Sequence, residues 1–386
     1  MDAFDIGIIG AGVHGASAAF HIAGRGRSVV MFERGTPAGG PTGRSSAVCR
    51  AFYTNAFLAC VARDSIAMMA NFPVHTNGRE SGYRRTGLYF LHPEEDVEQV
   101  REVAAGLRRI GIEVDVFDRS QLAGRFPRFD LGGIAAGAWE ADGGYADPAS
   151  TTIGLLERAV ELGVEPRMRA GDVRIEARPG GGAVVITEDG RRTECARLLI
   201  AAGPWSASLA SQVGVDLPLT VERHLVAAIA WGRVEPVSFG FADLPGGYYC
   251  RPEGEHLMIM GSLHSAARAD PDHFSQEVTD DESLHLVQPL VRRIPSLADA
   301  EPRRGWASLY DVSPDWQPVI GEIADGIVVD AGTSGHGFKL APALGKHVAD
   351  LVAGDPVDPG LEQFHPSRFD AGRPLAAGYR SARILG

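Results

Sequence analysis

The sequence predicts an α/β protein of two domains, one assembled around a parallel sheet from separated stretches of chain, the other around a mixed sheet. Three observations carry this. A strand, a glycine-rich turn, a helix and a second strand follow one another at the N-terminus. Two more apolar runs that end in glycine, near 200 and 330, fit the same sheet but arrive late. The chain has 386 residues, too long for one small core.

The first unit is residues 5 to 34, DIGIIGAGVHGASAAFHIAGRGRSVVMFER. Ile6, Ile8 and Ile9 give a short strand. Gly10, Gly12 and Gly15 then spell GxGxxG, a helical run follows through Ala23, and SVVMFE ends at Glu33. Each residue type has a physical task in a dinucleotide fold. Gly10 permits the tight turn, Gly12 lets backbone approach a pyrophosphate at the helix N-terminus, and Gly15 allows close helix–strand packing. Glu33 accepts from a ribose hydroxyl and disfavours a 2′-phosphate. The glycines alone are a weak signal; strand, glycines, helix, strand and acid in that order are a strong one. The pattern leaves NAD and FAD both open.

Bulk composition narrows the class. Net charge is −12, from 49 acidic and 37 basic residues, which disfavours nucleic acid and anionic membranes as partners. No apolar run is long enough to span a bilayer. The start, MDAFDIGIIG, is acidic, enters a strand directly and does not read as a signal peptide. Cys49, Cys60, Cys195 and Cys250 form no CxxC pair and no metal-ligand spacing, so reduced thiols in a cytoplasmic protein without a metal are expected.

Residues 39 to 53, GGPTGRSSAVCRAFY, are a small-residue loop that suits a second backbone wrap around an extended cofactor and leads into a helical pattern. Farther on, ARLLIAA at 196 to 202 and GIVVDA at 326 to 331 are the late strands of the first sheet. GLYFLHP, HLVAAIAW and HLMIMG read as strands of the mixed sheet, and RPGGGA near 178 as a hairpin turn. In GTSGHGFKLAP, residues 332 to 342, two glycines flank a histidine and a lysine follows. A helix starts there, with Pro342 in its first turn and Leu340, Ala343, Leu344, His347, Val348 and Leu351 on one face. Gly354 and Pro356 stop it.

With GAGVHG, TGRSSAVCR, AAGPW at 201 to 205, RGWASLYDVSPDWQPVIGE at 304 to 322 and SGHGFK at 334 to 339, the chain resembles, over nearly its whole length, the FAD-dependent amine and amino-acid oxidoreductases typified by monomeric sarcosine oxidase and D-amino acid oxidase. TGRSSAVCR is especially similar to the sarcosine oxidase β subunit. The resemblance implies a discontinuous Rossmann-like FAD-binding domain at about 1–85, 146–216 and 321–386, and a mixed-sheet substrate domain at about 86–145 and 217–320. It implies cofactor contacts from Val13, His14 and Arg34 beside the first glycines, and from Thr42, Gly43, Arg44, Ser45 and Ser46. Further contacts come from Val173, Ala202, Gly203 and Trp205, and from Gly335, His336, Gly337, Phe338 and Lys339. The glycine loop would lie against the isoalloxazine ring, where close approach needs residues without a Cβ.

The same resemblance implies a substrate site. Arg50 and Lys339 clamp one carboxylate, Tyr310 lines the cavity over the flavin, and Tyr248 or Tyr249 walls the pocket. Read from the residues alone, Arg50 and Lys339 are solvated cations and Tyr310 a core aromatic. His336 and His264 are candidate bases, although His336 reads better as a packed residue whose neighbours' backbone acts. No carboxylate–histidine pair stands out. The activity implied is oxidation of the C–N bond of a small carboxylate-bearing amine or amino acid, with oxygen or an unknown electron acceptor as partner. Ser308 stands where sarcosine oxidase has its flavin-linking cysteine, so non-covalent FAD is expected. Ile259 or Met260 replaces an oxygen-activating lysine, which favours a dehydrogenase over an oxidase. Two rivals are oxidation of a 2-hydroxy acid, which needs a base, and a flavin-holding subunit of a larger complex. A homo-oligomer or a partner subunit stays open.

Overall fold

The computed structural model describes residues 1–376 and 378–379. The first sheet is parallel at its centre. Its strands lie in the order Glu165–Arg167, Val29–Phe32, Asp2–Ile9, Arg192–Ile200, Ile327–Ala331. Val319–Ala324 continues it antiparallel at one edge. The hairpin Arg174–Ala177 and Ala183–Ile186 pairs antiparallel with the start of Arg192–Ile200, and its turn holds the predicted glycines 180 to 182. Asp2–Ile9 is half-exposed at its start and fully buried over its last four residues. A strand covered by helices on both faces needs that continuous apolar run.

Helix packing on this sheet depends on small residues. The helix Val13–Ile22 carries Gly15, Ala16, Ser17, Ala18 and Ala19, all buried, and lies against the helices Gly337–Ala353 and Pro148–Glu161. A Cβ on Gly15 would stand 1.9 Å from Gly10 O, and one on Gly345 would stand 2.1 Å from Ser17 Oγ. The first glycine therefore sets the helix–strand spacing and the second the helix–helix spacing. The helix Gly337–Ala353 is buried well beyond the single face expected, since Gly337, Phe338, Ala341, Gly345, Ala349 and Val352 are covered too. Pro342 is its sixth residue rather than a first-turn one. The helix ends as expected at Gly354, in the left-handed conformation at φ 73°.

The second sheet has eight strands, in the order Glu301–Val312, Thr220–Ala230, Leu257–Ser262, Tyr248–Glu253, Gly240–Asp243, Leu88–His92, Ala136–Glu140, Val114–Asp118. It is mixed, because Gly240–Asp243 and Leu88–His92 run parallel while the other neighbours are antiparallel. One face packs its core of Ile229, Tyr248, Cys250, Met258 and Met260 under the helix Asp280–Arg293. The other faces the first sheet. The stretch after TGRSS is no helix: it forms the short strand Val48–Cys49 against Gly144–Tyr145, and the next helix starts at Ala56. Among the described residues no helix is long and apolar enough to cross a membrane.

Candidate active site

Two adjoining cavities lie between the sheets. The larger has a volume of about 600 Å³, within the range of small-molecule sites. It opens where the strands Asp2–Ile9, Arg192–Ile200 and Ile327–Ala331 end, at the point where the chain turns to opposite sides of the first strand. Of the expected cofactor residues, Gly10, Gly12, Val13, His14, Glu33 and Arg34 line it. Thr42, Arg44, Ser45 and Ser46 form another side, Val173, Ala202, Gly203 and Trp205 a third, and Gly335, Gly337 and Phe338 a fourth. Gly15 and Gly43 do not. Their missing Cβ atoms make room for Gly10 O and Ala38 O, so both serve the backbone.

The larger cavity's donors suit an anionic dinucleotide. Gly12, Val13 and His14 at the start of the helix Val13–Ile22, and Gly337 and Phe338 at the start of the helix Gly337–Ala353, line the cavity, so both positive helix ends face it, with Thr42 Oγ1 accepting from the Val13 N–H at 3.2 Å. Gly10 takes φ 106°, and a Cβ there would meet Ala201 O at 2.4 Å. A Cβ on Gly12 would meet only Thr42 Oγ1, at 3.2 Å, so its cavity side is open. Glu33 accepts from the N–H groups of Ala11 and Gly35 at 2.9 and 2.8 Å, and its lone pairs are not exhausted by two donors. Asp330 Oδ1 is buried without a donor among the described residues. That orphan acceptor suits a hydroxyl-bearing ligand. These residues fit FAD.

The smaller cavity, about 60 Å³, is lined by both Arg50 and Lys339. Tyr249, Tyr310, Gly335, Phe338, Ser45 and Ser46 are shared with the larger one. The remaining walls are Val48, Leu88, Phe90, Phe241, Ala242, Cys250 and Leu263, apolar but for the one thiol. Arg50 is 4% exposed, gives Nη1 to Phe52 O and lies over the Tyr53 ring at 4.0 Å. Glu140 fixes its segment, since the two carboxylate oxygens accept from the N–H groups of Ala51 and Phe52 at 2.6 and 3.0 Å. Lys339, 7% exposed, gives Nζ to Gly335 O at 3.3 Å. Burial, and then the Arg50 charge, depress its pKa to about 7. Tyr249 gives its hydroxyl to Ser46 Oγ at 2.8 Å. Burial raises the Tyr249 pKa, and that of Tyr310 further.

Several expectations need correction. His264 is exposed, its ring lies over Gly247, and it lines neither cavity, because the strand Leu257–Ser262 has ended before it. His336 also lines neither. Its ring packs 5.6 Å from Tyr53 with both nitrogens unpartnered among the described residues. Burial, then Lys339 and Arg50, push its pKa well below 6.5, so it is neutral. Tyr248 points into the far core with Phe241 and Met260, and only Tyr249 reaches the site. Ile259 lies beside Val226 and Ala228, on the face toward the larger cavity, whereas Met260 lies on the opposite one. Gly335 and Gly337 are demanded first by the protein itself: a Cβ on Gly335 would strike the Tyr310 ring at 2.4 Å, and one on Gly337 would strike His14 Nε2 at 2.8 Å.

Carboxylate–histidine pairs do exist, and His14, Asp330 and His224 of two such pairs line the larger cavity. His14 Nδ1 meets Asp330 Oδ2 at 2.8 Å. His224 Nε2 meets Glu222 Oε2 at 3.0 Å, and the His224 ring stacks on Tyr310 with centroids 3.8 Å apart. The second pair had a signal in the sequence. In TVERHLVA the glutamate and histidine are two residues apart, which places them on one face of a strand.

The parallel sheet, the open glycine turn and the two helix ends aimed into one cavity define a dinucleotide-binding protein. The model of the DAO family, FAD-dependent oxidoreductases, matches residues 5–351, and the chain belongs to that family. Its cofactor is FAD. Peroxisomal sarcosine oxidase of Homo sapiens is 28% identical over 391 residues, covering 95% of this chain and 97% of that protein. Glycine oxidase of Geobacillus kaustophilus is 26% identical over 363 residues, covering 90% and 93%. Among solved structures, L-proline dehydrogenase from P. horikoshii superposes with a TM-score of 0.84 at 22% identity, covering 97% and 100%. That likeness establishes the fold.

Proposed function

We propose that this enzyme oxidises the C–N bond of a small carboxylate-bearing secondary amine or amino acid to the imine, which water then hydrolyses. The observation that carries the reading is the meeting of Arg50 and Lys339 in one small, largely apolar cavity that opens onto the cofactor cavity through Tyr310, Gly335 and Phe338. A guanidinium and an ammonium lining one pocket together hold a carboxylate tightly. The apolar walls penalise a charged amine, so the substrate reacts as the free amine. Bound FAD supplies the two-electron acceptor. The chain's own residues bind, orient and exclude water: Arg50 and Lys339 hold the carboxylate, Tyr249 and Tyr310 close the side, and Leu88, Phe90 and Ala242 keep the pocket dry. Similarity to sarcosine oxidase and glycine oxidase supports the substrate class.

Oxidation of a 2-hydroxy acid is less well supported, because neither His336 nor His264 lines the pocket as a base, and His224, paired with Glu222, lines the larger cavity rather than the pocket that holds Arg50 and Lys339. Ile259 leaves no cation at that position, which supports a dehydrogenase, and Ser308 supports non-covalent FAD. The free thiols of all four cysteines support a reducing, cytoplasmic location. The 23% identity to sarcosine oxidase subunit β over 385 residues supports a partner subunit as the second reading.

The test is anaerobic mixing of the holoenzyme with sarcosine, N-methyl amino acids, proline, both enantiomers of common amino acids, and 2-hydroxy acids, following the flavin absorbance. Bleaching by an amine is expected, with slow return in air. Bleaching by hydroxy acids alone would overturn the C–N assignment.

A further inference from the structure

One wall of the larger cavity carries three titratable side chains that the proposed chemistry leaves unused. His14 is the second residue of the helix Val13–Ile22, and Asp330 lies in the strand Ile327–Ala331 of the same domain. Asp311 comes from the opposite sheet, on the strand Glu301–Val312. All three line the cavity. Asp330 holds His14 at 2.8 Å. Asp311 accepts from the Gly332 N–H at 2.7 Å and the Thr333 hydroxyl at 3.2 Å. Asp330 is 2% exposed and Asp311 7%. His14 Nε2 and Asp330 Oδ1 are both buried without a partner among the described residues.

The charge balance of this wall is the difficulty. Two buried carboxylates and a neutral histidine would carry two negative charges into a cavity that must hold a pyrophosphate. Like charges that share a poorly solvated cavity repel. We propose that FAD binds together with a proton held by the His14–Asp330–Asp311 cluster, so that the wall facing the anionic cofactor carries one negative charge less than the separated groups would.

The local fields favour this. Burial works against a charged His14, but Asp330 and then Asp311 outweigh it and raise its pKa above the ordinary value. Burial also raises Asp311, against the hydrogen bonds that favour its charge. The other groups around the cluster do not supply the proton. His21, on His14's own helix, bonds to Pro342 O at 2.8 Å, and burial depresses it to about 4. On the helix Gly337–Ala353, Lys339 lines the other cavity and His336 packs on Tyr53. Elsewhere on the larger cavity, Asp172 and Asp272 are paired with Arg34, Glu33 with backbone N–H groups, and His224 with Glu222.

Because the bound state holds the extra proton, affinity is highest at low pH and falls as pH rises. Linkage sets the limit at tenfold in Kd per pH unit for one proton. The experiment is serial dilution of the holoenzyme between pH 6 and 9, with released FAD read by its fluorescence at equilibrium. The wild type is expected to lose affinity with a slope that approaches tenfold per unit in the upper part of this range. His14→Gln should bind roughly tenfold more weakly at pH 6 and show a flat profile. Asp330→Asn removes one negative charge and should bind more tightly than the wild type at pH 9, a gain that damage to the fold cannot mimic. A flat wild-type profile would overturn the proposal. So would a His14→Gln profile as steep as the wild type's, or an Asp330→Asn variant weakened equally at pH 6 and 9.

Discussion

Lys339 sits where an ammonium is least stable and most useful. Its pKa of about 7 comes from burial and from Arg50 beside it, and a bound carboxylate reverses both penalties. The sign follows directly. The protonated form binds substrate and is lost as pH rises through about 7, so KM expressed in the concentration of free amine should climb about tenfold per unit above that pH. Steady-state KM between pH 6 and 9, with a dye as electron acceptor, checks it. Lys339→Met should flatten the profile and raise KM by roughly 10- to 100-fold, the worth of one charged hydrogen bond. An unchanged KM in this variant would remove Lys339 from the site. Glu140 acts one step back, through Arg50. Burial pushes its carboxyl up to about 7, although two N–H groups and Arg50 favour its charge. In Glu140→Gln an amide NH₂ replaces one acceptor and leaves either Ala51 or Phe52 N–H unpaired. A loss of about 1–3 kcal/mol in unfolding free energy is expected, with KM rising more than kcat falls, because the displaced group is Arg50. Equal effects on both constants would point to a general loss of structure instead.

At the scale of elements, the glycines set distances that no side chain can relax. Gly15→Ala would drive a methyl to 1.9 Å from Gly10 O, so the helix Val13–Ile22 must lift off its strand. Overpacking of this kind costs about 1–3 kcal/mol. It should leave protein purified largely without flavin, as the ratio of flavin to protein absorbance would report. Gly335→Ala combines φ 81° with a contact at 2.4 Å to the Tyr310 ring, and should lower substrate affinity while the protein keeps its flavin. Such elements were legible in the sequence because their signals are local. Strand, glycine turn, helix and acid succeed one another within 30 residues, and SGHGFK announces its own helix. The misses have physical reasons too. The period-two spacing of Glu222 and His224 is present in the sequence, but a glutamate and a histidine two apart in a strand look like any other alternation. The partner of His14 is Asp330, 316 positions away, a pairing that only the parallel sheet creates. His264 went wrong by the end of a strand, and Pro342 by where its helix begins.

At the scale of the whole molecule, the two large sheets flank the cofactor cavity, and a visible latch joins them. The irregular segment after the strand Leu257–Ser262 crosses from the second sheet to the mouth of the larger cavity. There Asp272 accepts from Arg34 Nη1 at 2.8 Å and from Trp205 Nε1 at 2.9 Å, while Gln276 accepts from Arg44 at 2.9 Å. Arg34 also lies over the Trp205 ring at 5.1 Å. Arg34, Trp205, Arg44 and Asp272 all line the cavity, so the latch joins cofactor-facing residues of both halves. Its strength is bounded. Asp272 and Arg34 are 46% and 41% exposed, and ion pairs so exposed contribute about 1 kcal/mol or less; the indole bond adds a similar amount. Asp272→Ala removes both, which should speed FAD release from holoenzyme by roughly 3- to 10-fold without moving KM for the amine. Salt separates the two parts. Near 1 M the Debye length is about 3 Å, so the Arg34 contribution is screened while the Trp205 bond persists. Wild-type release should therefore accelerate with salt and approach the variant's rate without reaching it. Release followed by flavin fluorescence after dilution into excess apoprotein-free buffer gives both rates. Identical rates at low salt would mean that the cofactor is held by the first sheet alone, and that the second sheet closes over it without restraining it.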